Sequence, residues 1–191
     1  MQPLPAEGIG SGAIRIVPYD PGWPSLFAAT GRELAHRLGS LLHSAHHIGS
    51  TSVPGLAAKP KIDVDAVIEP AERLDEAVAL MRSGQGWAFQ GEPYGDGMWT
   101  FTRGHGSWGA RLYLCAPGTA THEKRILFRD WLRTHPGDAA AYEALKRRLA
   151  VAADGDWKLY TGGKSAFVAE ILRRASSVRA APQLPAGILS P

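Results

Sequence analysis

The chain contains a single cysteine, Cys115, among 191 residues. That excludes an internal disulfide framework and any zinc site built on cysteines, and it suits a reducing compartment. No apolar run approaches the length needed to span a membrane. The first residues do not follow the basic-then-apolar order of a secretory signal, so a cytoplasmic protein with no membrane partner is expected. Neither sign of charge dominates: the formal net charge is +3, with 20% charged and 45% apolar residues. So small a surplus permits polyanionic ligands without demanding nucleic acid, which is not the expected partner. Length and composition suit one soluble domain with a sizeable core. No internal repeat is present, and a monomer is the expected state.

The two ends are poor in structure-forming residues. Residues 1–13 are rich in glycine and proline and are expected to be flexible, and residues 176–191 are read as a disordered tail. The folded domain is placed at 14–175. Within it, Ile14–Val17 is β-like and Tyr19–Pro24 (YDPGWP) is turn-forming. Pro24 and Ser25 open a helix whose apolar positions are Leu26, Phe27, Leu34, Leu38, Leu41 and Leu42. Strands are predicted over Ala45–Ile48 and Ile62–Ile68, then a helix from Pro70 closed by Gly84 and Gly86. Three β-like segments follow, at Trp87–Gln90, Met98–Arg103 and Ala110–Cys115, joined by glycine-rich connections. Helices are predicted over Thr121–Thr134, Asp138–Ala152 and from Ser165 onward, with Glu143 and Arg147 spaced for an ion pair. The pattern predicts an α/β or α+β domain: a mixed sheet flanked by helices, with a helical C-terminal part.

The chemistry concentrates between His47 and Ile68, HIGSTSVPGLAAKPKIDVDAVI. Gly49, Ser50, Thr51 and Ser52 form a small-residue turn whose amides and hydroxyls suit phosphate oxygens, or which is simply a turn. Downstream, Lys61, Asp63 and Asp65 share one face of a strand by alternation. Aspartate is disfavoured in strands. The pair reads either as a solvated face offset by Lys61 or as ligands for Mg²⁺ bridging a phosphoryl group. Lys59 lies in the intervening loop within possible reach of phosphate. His46 and His47 flank the turn, where a hydrogen-bonded structural role competes with acid–base work. Gly162–Ser165 (GGKS) lacks the earlier glycine of a phosphate-binding P-loop, since Lys158 stands there, yet Lys164 at a helix start suits an anion. Arg125, Arg129, Arg133, Lys146, Arg147 and Arg148 read as a solvated basic surface, with Arg129–Asp130 as an alternative buried pair. Trp23 is expected to pack the first helix, and Trp99 and Trp108 either line a cleft or pack the core.

The blocks YDPGWP, HIGSTSVPGLAAKPKIDVDAVI, LFRDWLRTHP and YTGGKSAFV together closely resemble the GrpB family, also known as UPF0157, over roughly Ile14 to Arg174. The resemblance implies the nucleotidyltransferase superfamily and its DNA polymerase β-like fold. It also implies that a related domain is fused to dephospho-CoA kinase in some bacteria. By that resemblance Gly49-Ser50 would hold a triphosphate, and Asp63 and Asp65 would bind Mg²⁺. The superfamily's third carboxylate has no counterpart here. Arg111 and Tyr113 stand where related sequences carry His-x-His, and Lys61 replaces an apolar residue. The leading expectation is an enzyme moving a nucleotidyl group from an NTP to a small hydroxyl- or amine-bearing acceptor. Asp63, Asp65 and Lys61 are its candidate catalytic residues. Gly49, Ser50, Thr51, Ser52, Lys59, Arg111, Tyr113 and Lys164 are the candidate substrate or phosphate contacts. A non-catalytic nucleotide- or anion-binding module, or different chemistry on a small anionic metabolite in the same cleft, are the alternatives.

Overall fold

The computed structural model describes residues 14–104 and 109–180. Its first helix, α1 (Trp23–Leu38), has proline in its first turn, where the missing N–H costs nothing, and ends at Gly39 with φ 55°. That glycine stops the helix before Leu41 and Leu42, which the periodicity assigns to it. Leu41 lies in a short 3₁₀ turn, and Leu42 opens β1 (Leu42–Ile48). A 3₁₀ turn over Ser50–Ser52 and a loop lead to β2 (Lys61–Ile68). Then come α2 (Leu74–Ser83), β3 (Ala88–Gly91), β4 (Trp99–Arg103) and β5 (Gly109–Cys115). The C-terminal helices are α3 (Ala120–Thr134), α4 (Pro136–Ala153), α5 (Trp157–Gly162) and α6 (Ser165–Ala180).

The sheet has five strands in the order β1-β2-β5-β4-β3. Only β2 and β5 run parallel, and the other pairs are antiparallel, so the sheet is mixed as expected. Alternation splits it into two unlike faces. Ile62, Val64, Ala66 and Ile68 of β2 join Ala110, Leu112 and Leu114 of β5 and Phe101 of β4, and Trp23, Leu34 and Leu38 of α1 and Met81 of α2 pack on them. That is the main core. The opposite face carries Asp63, Asp65, Arg111 and Tyr113 among a smaller apolar group of Ile48, Val67, Met98 and Cys115. The C-terminal helices build a separate core in which Trp131, Tyr142 and Ile171 close over Val53 and Leu56 of the loop before β2.

Several expectations change on inspection. Ile14–Val17 forms no strand; Val17 makes an isolated bridge to Ala58. Helix α5 is unanticipated, although Asp156 caps it by accepting from the amides of Lys158 and Leu159 at 2.8 and 2.9 Å. Helix α6 continues to Ala180, so the supposed tail is helical where it begins at Ser176. The remaining tail and residues 1–13 lie outside the described residues, as does Trp108. Trp99 stacks on Phe89 at 6.0 Å beside the main core rather than lining a cleft. Glu143 and Arg147 do pair, at 2.9 Å.

Leu112 is fully buried on the central strand pair. Leu112→Ala is expected to cost about 2–5 kcal/mol, from lost burial plus the cavity left behind. Urea unfolding should show a lower midpoint at unchanged slope; a loss below about 1 kcal/mol would contradict this packing.

Candidate functional site

Asp63 and the serine turn meet as the sequence suggests. Gly49 has φ 71°, and a Cβ there would lie 2.8 Å from Oδ2 of Asp63. Any larger residue would therefore push the carboxylate off the turn. Asp63 sits in register between Ile48 of β1 and Arg111 of β5. The turn's hydroxyls are less available than expected. Thr51 Oγ1 donates to the Lys61 carbonyl at 3.1 Å and bonds to Nε2 of His47 at 3.0 Å, while Ser52 Oγ donates to the Gly49 carbonyl. Both side chains are buried and hydrogen-bonded within the loop. Ser50 instead hydrogen-bonds the Tyr142 hydroxyl, whose pKa burial pushes up to about 12. His47 is structural as well: its ring stacks on Phe27 at 4.9 Å, on the α1 side of the sheet. Burial, then Arg133 and Arg129, push its pKa down to about 4, so it is neutral near pH 7.

Asp65 has a different fate from Asp63. It is 0% exposed, and both its oxygens are engaged by α3: Oδ1 by Nη1 of Arg125 at 2.9 Å, Oδ2 by Nδ1 of His122 at 3.0 Å. The Arg125 guanidinium also lies 3.8 Å from the centre of the Tyr113 ring. One and two helical turns on, Arg129 donates to the His47 carbonyl at 3.0 Å, and Arg133 donates to the Ser52 carbonyl at 3.0 and 2.8 Å. The arginines read as a solvated surface are thus the clamp between α3, Asp65 and both ends of the serine turn. The alternative Arg129–Asp130 pair forms at 2.7 Å, but Asp130 is half exposed.

A magnesium ion shared by Asp63 and Asp65 does not fit this arrangement. It would have to displace a guanidinium and an imidazole from a closed space, and Asp63 alone would remain as an available carboxylate. Among the described residues, no group of three His, Cys, Asp or Glu side chains is placed to hold a metal. Asp65 is thereby engaged within the fold, while Asp63 is half-buried beside the serine turn.

What gathers around Asp63 is positive charge. Lys59, Lys164 and Arg111 all interact electrostatically with it, from the loop before β2, the start of α6 and β5. The Lys59 ammonium lies 4.4 Å from the Trp157 ring and 5.1 Å from Tyr160, and that of Lys164 lies 4.4 Å from Tyr160. Burial pushes the Lys59 pKa down to about 8 against the pull of Asp63, with Lys164, Arg111 and Lys61 adding to the drop. Burial lowers Lys164 too, with Asp63 opposing. Arg111 is buried at cost, but Tyr113 and Asp63 outweigh this and raise its pKa; its Nε is buried with no hydrogen-bond partner. Burial and Asp63 raise the Tyr113 pKa, keeping the phenol protonated. One carboxylate amid several desolvated cations leaves a net positive cluster that suits anions.

Two contributors were not legible beforehand. Lys146 is only 1% exposed; it donates to the Ala57 carbonyl while Glu143 accepts from the Ala57 amide at 2.9 Å. Burial pushes its pKa down to about 7, against the pull of Glu143. Tyr160, buried between Lys59 and Lys164, supplies the ring face both ammonium groups rest on.

The unequal roles of the two aspartates predict unequal stabilities. Asp65→Asn leaves Arg125 buried without its counter-charge and should cost about 3–5 kcal/mol. Asp63→Asn leaves the half-buried cations around it short of one counter-charge, which solvent partly replaces, and should cost less, about 1–2 kcal/mol in urea unfolding. Equal losses in the two variants would overturn this division.

Sequence and structure comparisons agree with this architecture. The profile described as GrpB protein matches residues 13–174. A UPF0157 protein of Pseudomonas aeruginosa is 35% identical over 178 residues, spanning 92% of this chain and 73% of that protein. A protein of Mycolicibacterium paratuberculosis named dephospho-CoA kinase is 29% identical over 196 residues, spanning 90% of this chain and 48% of its own length. The crystal structure of the conserved protein GrpB from Enterococcus faecalis superposes with a TM-score of 0.77 at 29% identity, covering 86% of this chain and 99% of that one. With that profile across nearly all the described residues and a solved relative of the same fold, the chain belongs to the GrpB family.

Proposed function

We propose that this GrpB protein binds a small phosphorylated molecule, a nucleoside triphosphate in the leading case, with its phosphates among Lys59, Arg111 and Lys164. One observation carries the reading: three desolvated cations from three separate elements converge on a single carboxylate. Desolvated cations without full counter-charge are unfavourable alone and favourable once an anion enters. In this reading the cations, not a bridged metal pair, neutralise the phosphates. Nucleotidyl transfer would use the same geometry. An acceptor hydroxyl or amine attacks the α-phosphorus, the bond to the β-phosphate oxygen breaks, pyrophosphate leaves, and Asp63 takes the acceptor's proton. A second reading, a nucleotide- or anion-binding module without turnover, is favoured by the engagement of both Asp65 oxygens.

Binding of tripolyphosphate, ATP, GTP, CTP and UTP, measured with and without Mg²⁺, tests the reading. At least one should bind without the metal. Lys164→Gln should weaken binding about tenfold or more, as loss of a charge-assisted hydrogen bond implies. Asp63→Asn should bind at least as tightly, because it removes the pocket's negative charge. Metal-dependent binding abolished by Asp63→Asn would instead restore a metal-bridged scheme. Affinity should fall as pH rises through about 8, where Lys59 loses its proton; a flat profile there would remove Lys59 from the site. Pyrophosphate release with an acceptor, lost in Asp63→Asn, separates transfer from binding alone.

A further inference from the structure

The connection between β3 and β4 carries a side chain that the anion pocket does not use. Tyr94 is 54% exposed, and no other Phe, Tyr or Trp is among the exposed large apolar side chains of the described residues. An exposed tyrosine offers an apolar ring and a hydroxyl to whatever docks beside it. The turn that presents it is tied down on both sides. Glu92 accepts from the Gly97 amide, and Asp96 accepts from the Thr121 hydroxyl at the start of α3. Gly95 and Gly97 take φ 66° and 77°, which the tight path requires. Tyr94 is therefore held in place rather than left on a free loop.

Its location connects it to the pocket. The Tyr94 ring centre lies 6.4 Å from that of Tyr113, the rings inclined by 43°. Tyr113 is buried, lies under Arg125, and hydrogen-bonds Arg111. Tyr94 also interacts electrostatically with Arg111, whose Nε has no partner. Tyr94, Tyr113 and Arg111 thus form one cluster, with Asp63 in register beside Arg111 on β2.

We infer that Tyr94 is a stacking residue for a flat aromatic ring on the bound molecule, so that the ligand class is a phosphorylated compound carrying a planar heterocycle, as a nucleotide does. The inference rests on the reading of the Asp63 pocket as a phosphate site. The ring lies on Tyr94, Arg111 bridges towards the phosphates, and Lys59 and Lys164 hold their charge. Tyr94 sets which phosphorylated molecules bind well; the cations set that phosphates bind at all.

The test compares tripolyphosphate with the tightest-bound of ATP, GTP, CTP and UTP, by titration calorimetry on the full chain. Wild type should prefer the nucleotide. Tyr94→Ala should lose about tenfold in nucleotide affinity, within the range for removing one base-stacking partner, and leave tripolyphosphate affinity unchanged. Tyr94→Trp should retain nucleotide affinity, because it keeps the π-face. If Tyr94→Ala changes neither affinity, or both equally, stacking is overturned while the phosphate site stands. If wild type binds no polyphosphate at all, the pocket reading fails and the inference falls with it.

Discussion

Asp65 has no access to water, so its charge must be met from within the protein. Helix α3 meets it with Arg125 and His122, and the geometry of that contact sets where α3 lies on the sheet. Once α3 is docked there, Arg129 and Arg133 fall at the next helical turns on the same side. They reach the carbonyls at the two ends of the serine turn, His47 and Ser52. Charge-assisted bonds to neutral carbonyls avoid the desolvation conflict of a second buried acid and still hold the backbone. A single buried carboxylate thus fixes a helix, and the helix fixes the loop against which Asp63 rests.

The two aspartates of β2 illustrate how alternation decides face but not fate. Both project from the polar side of the sheet, two residues apart. Asp65 lies in register between His46 and Tyr113, where α3 engages it; Asp63 lies nearer the turn, where the start of α6 brings Lys164. Around Asp63 the neighbours are lysines, an arginine and phenols. Two acids that look alike in one dimension are, in three, one buried ion pair and one carboxylate amid a cationic cluster.

The sheet was legible because β2 and β5 alternate strictly and glycines punctuate the connections. The meeting of Gly49 with Asp63 was legible because a glycine next to a short turn, one strand away from an acid, leaves few other arrangements. The engagement of Asp65 was not, because Arg125 lies 60 residues along the chain and carries no local mark of its partner. The i, i+4, i+8 spacing of Arg125, Arg129 and Arg133 was the available signal, and it matches a solvated helix face equally well. Lys146 was hidden for the same reason. A lysine three residues after Glu143 looks like a surface pair, and only the packing of α4 on the loop buries it.

Lys146 and Glu143 grip the carbonyl and the amide of one residue, Ala57, two residues before Lys59. The stem of the loop that aims Lys59 is therefore fastened to α4, while Lys164 arrives from the first turn of α6. Two of the three cations, Lys59 and Lys164, thus belong to, or are braced by, chain that comes after the sheet is complete. Shortening the protein from its C-terminal side would spare every strand and still dismantle this cationic cluster, so sheet and helical annex act as one unit.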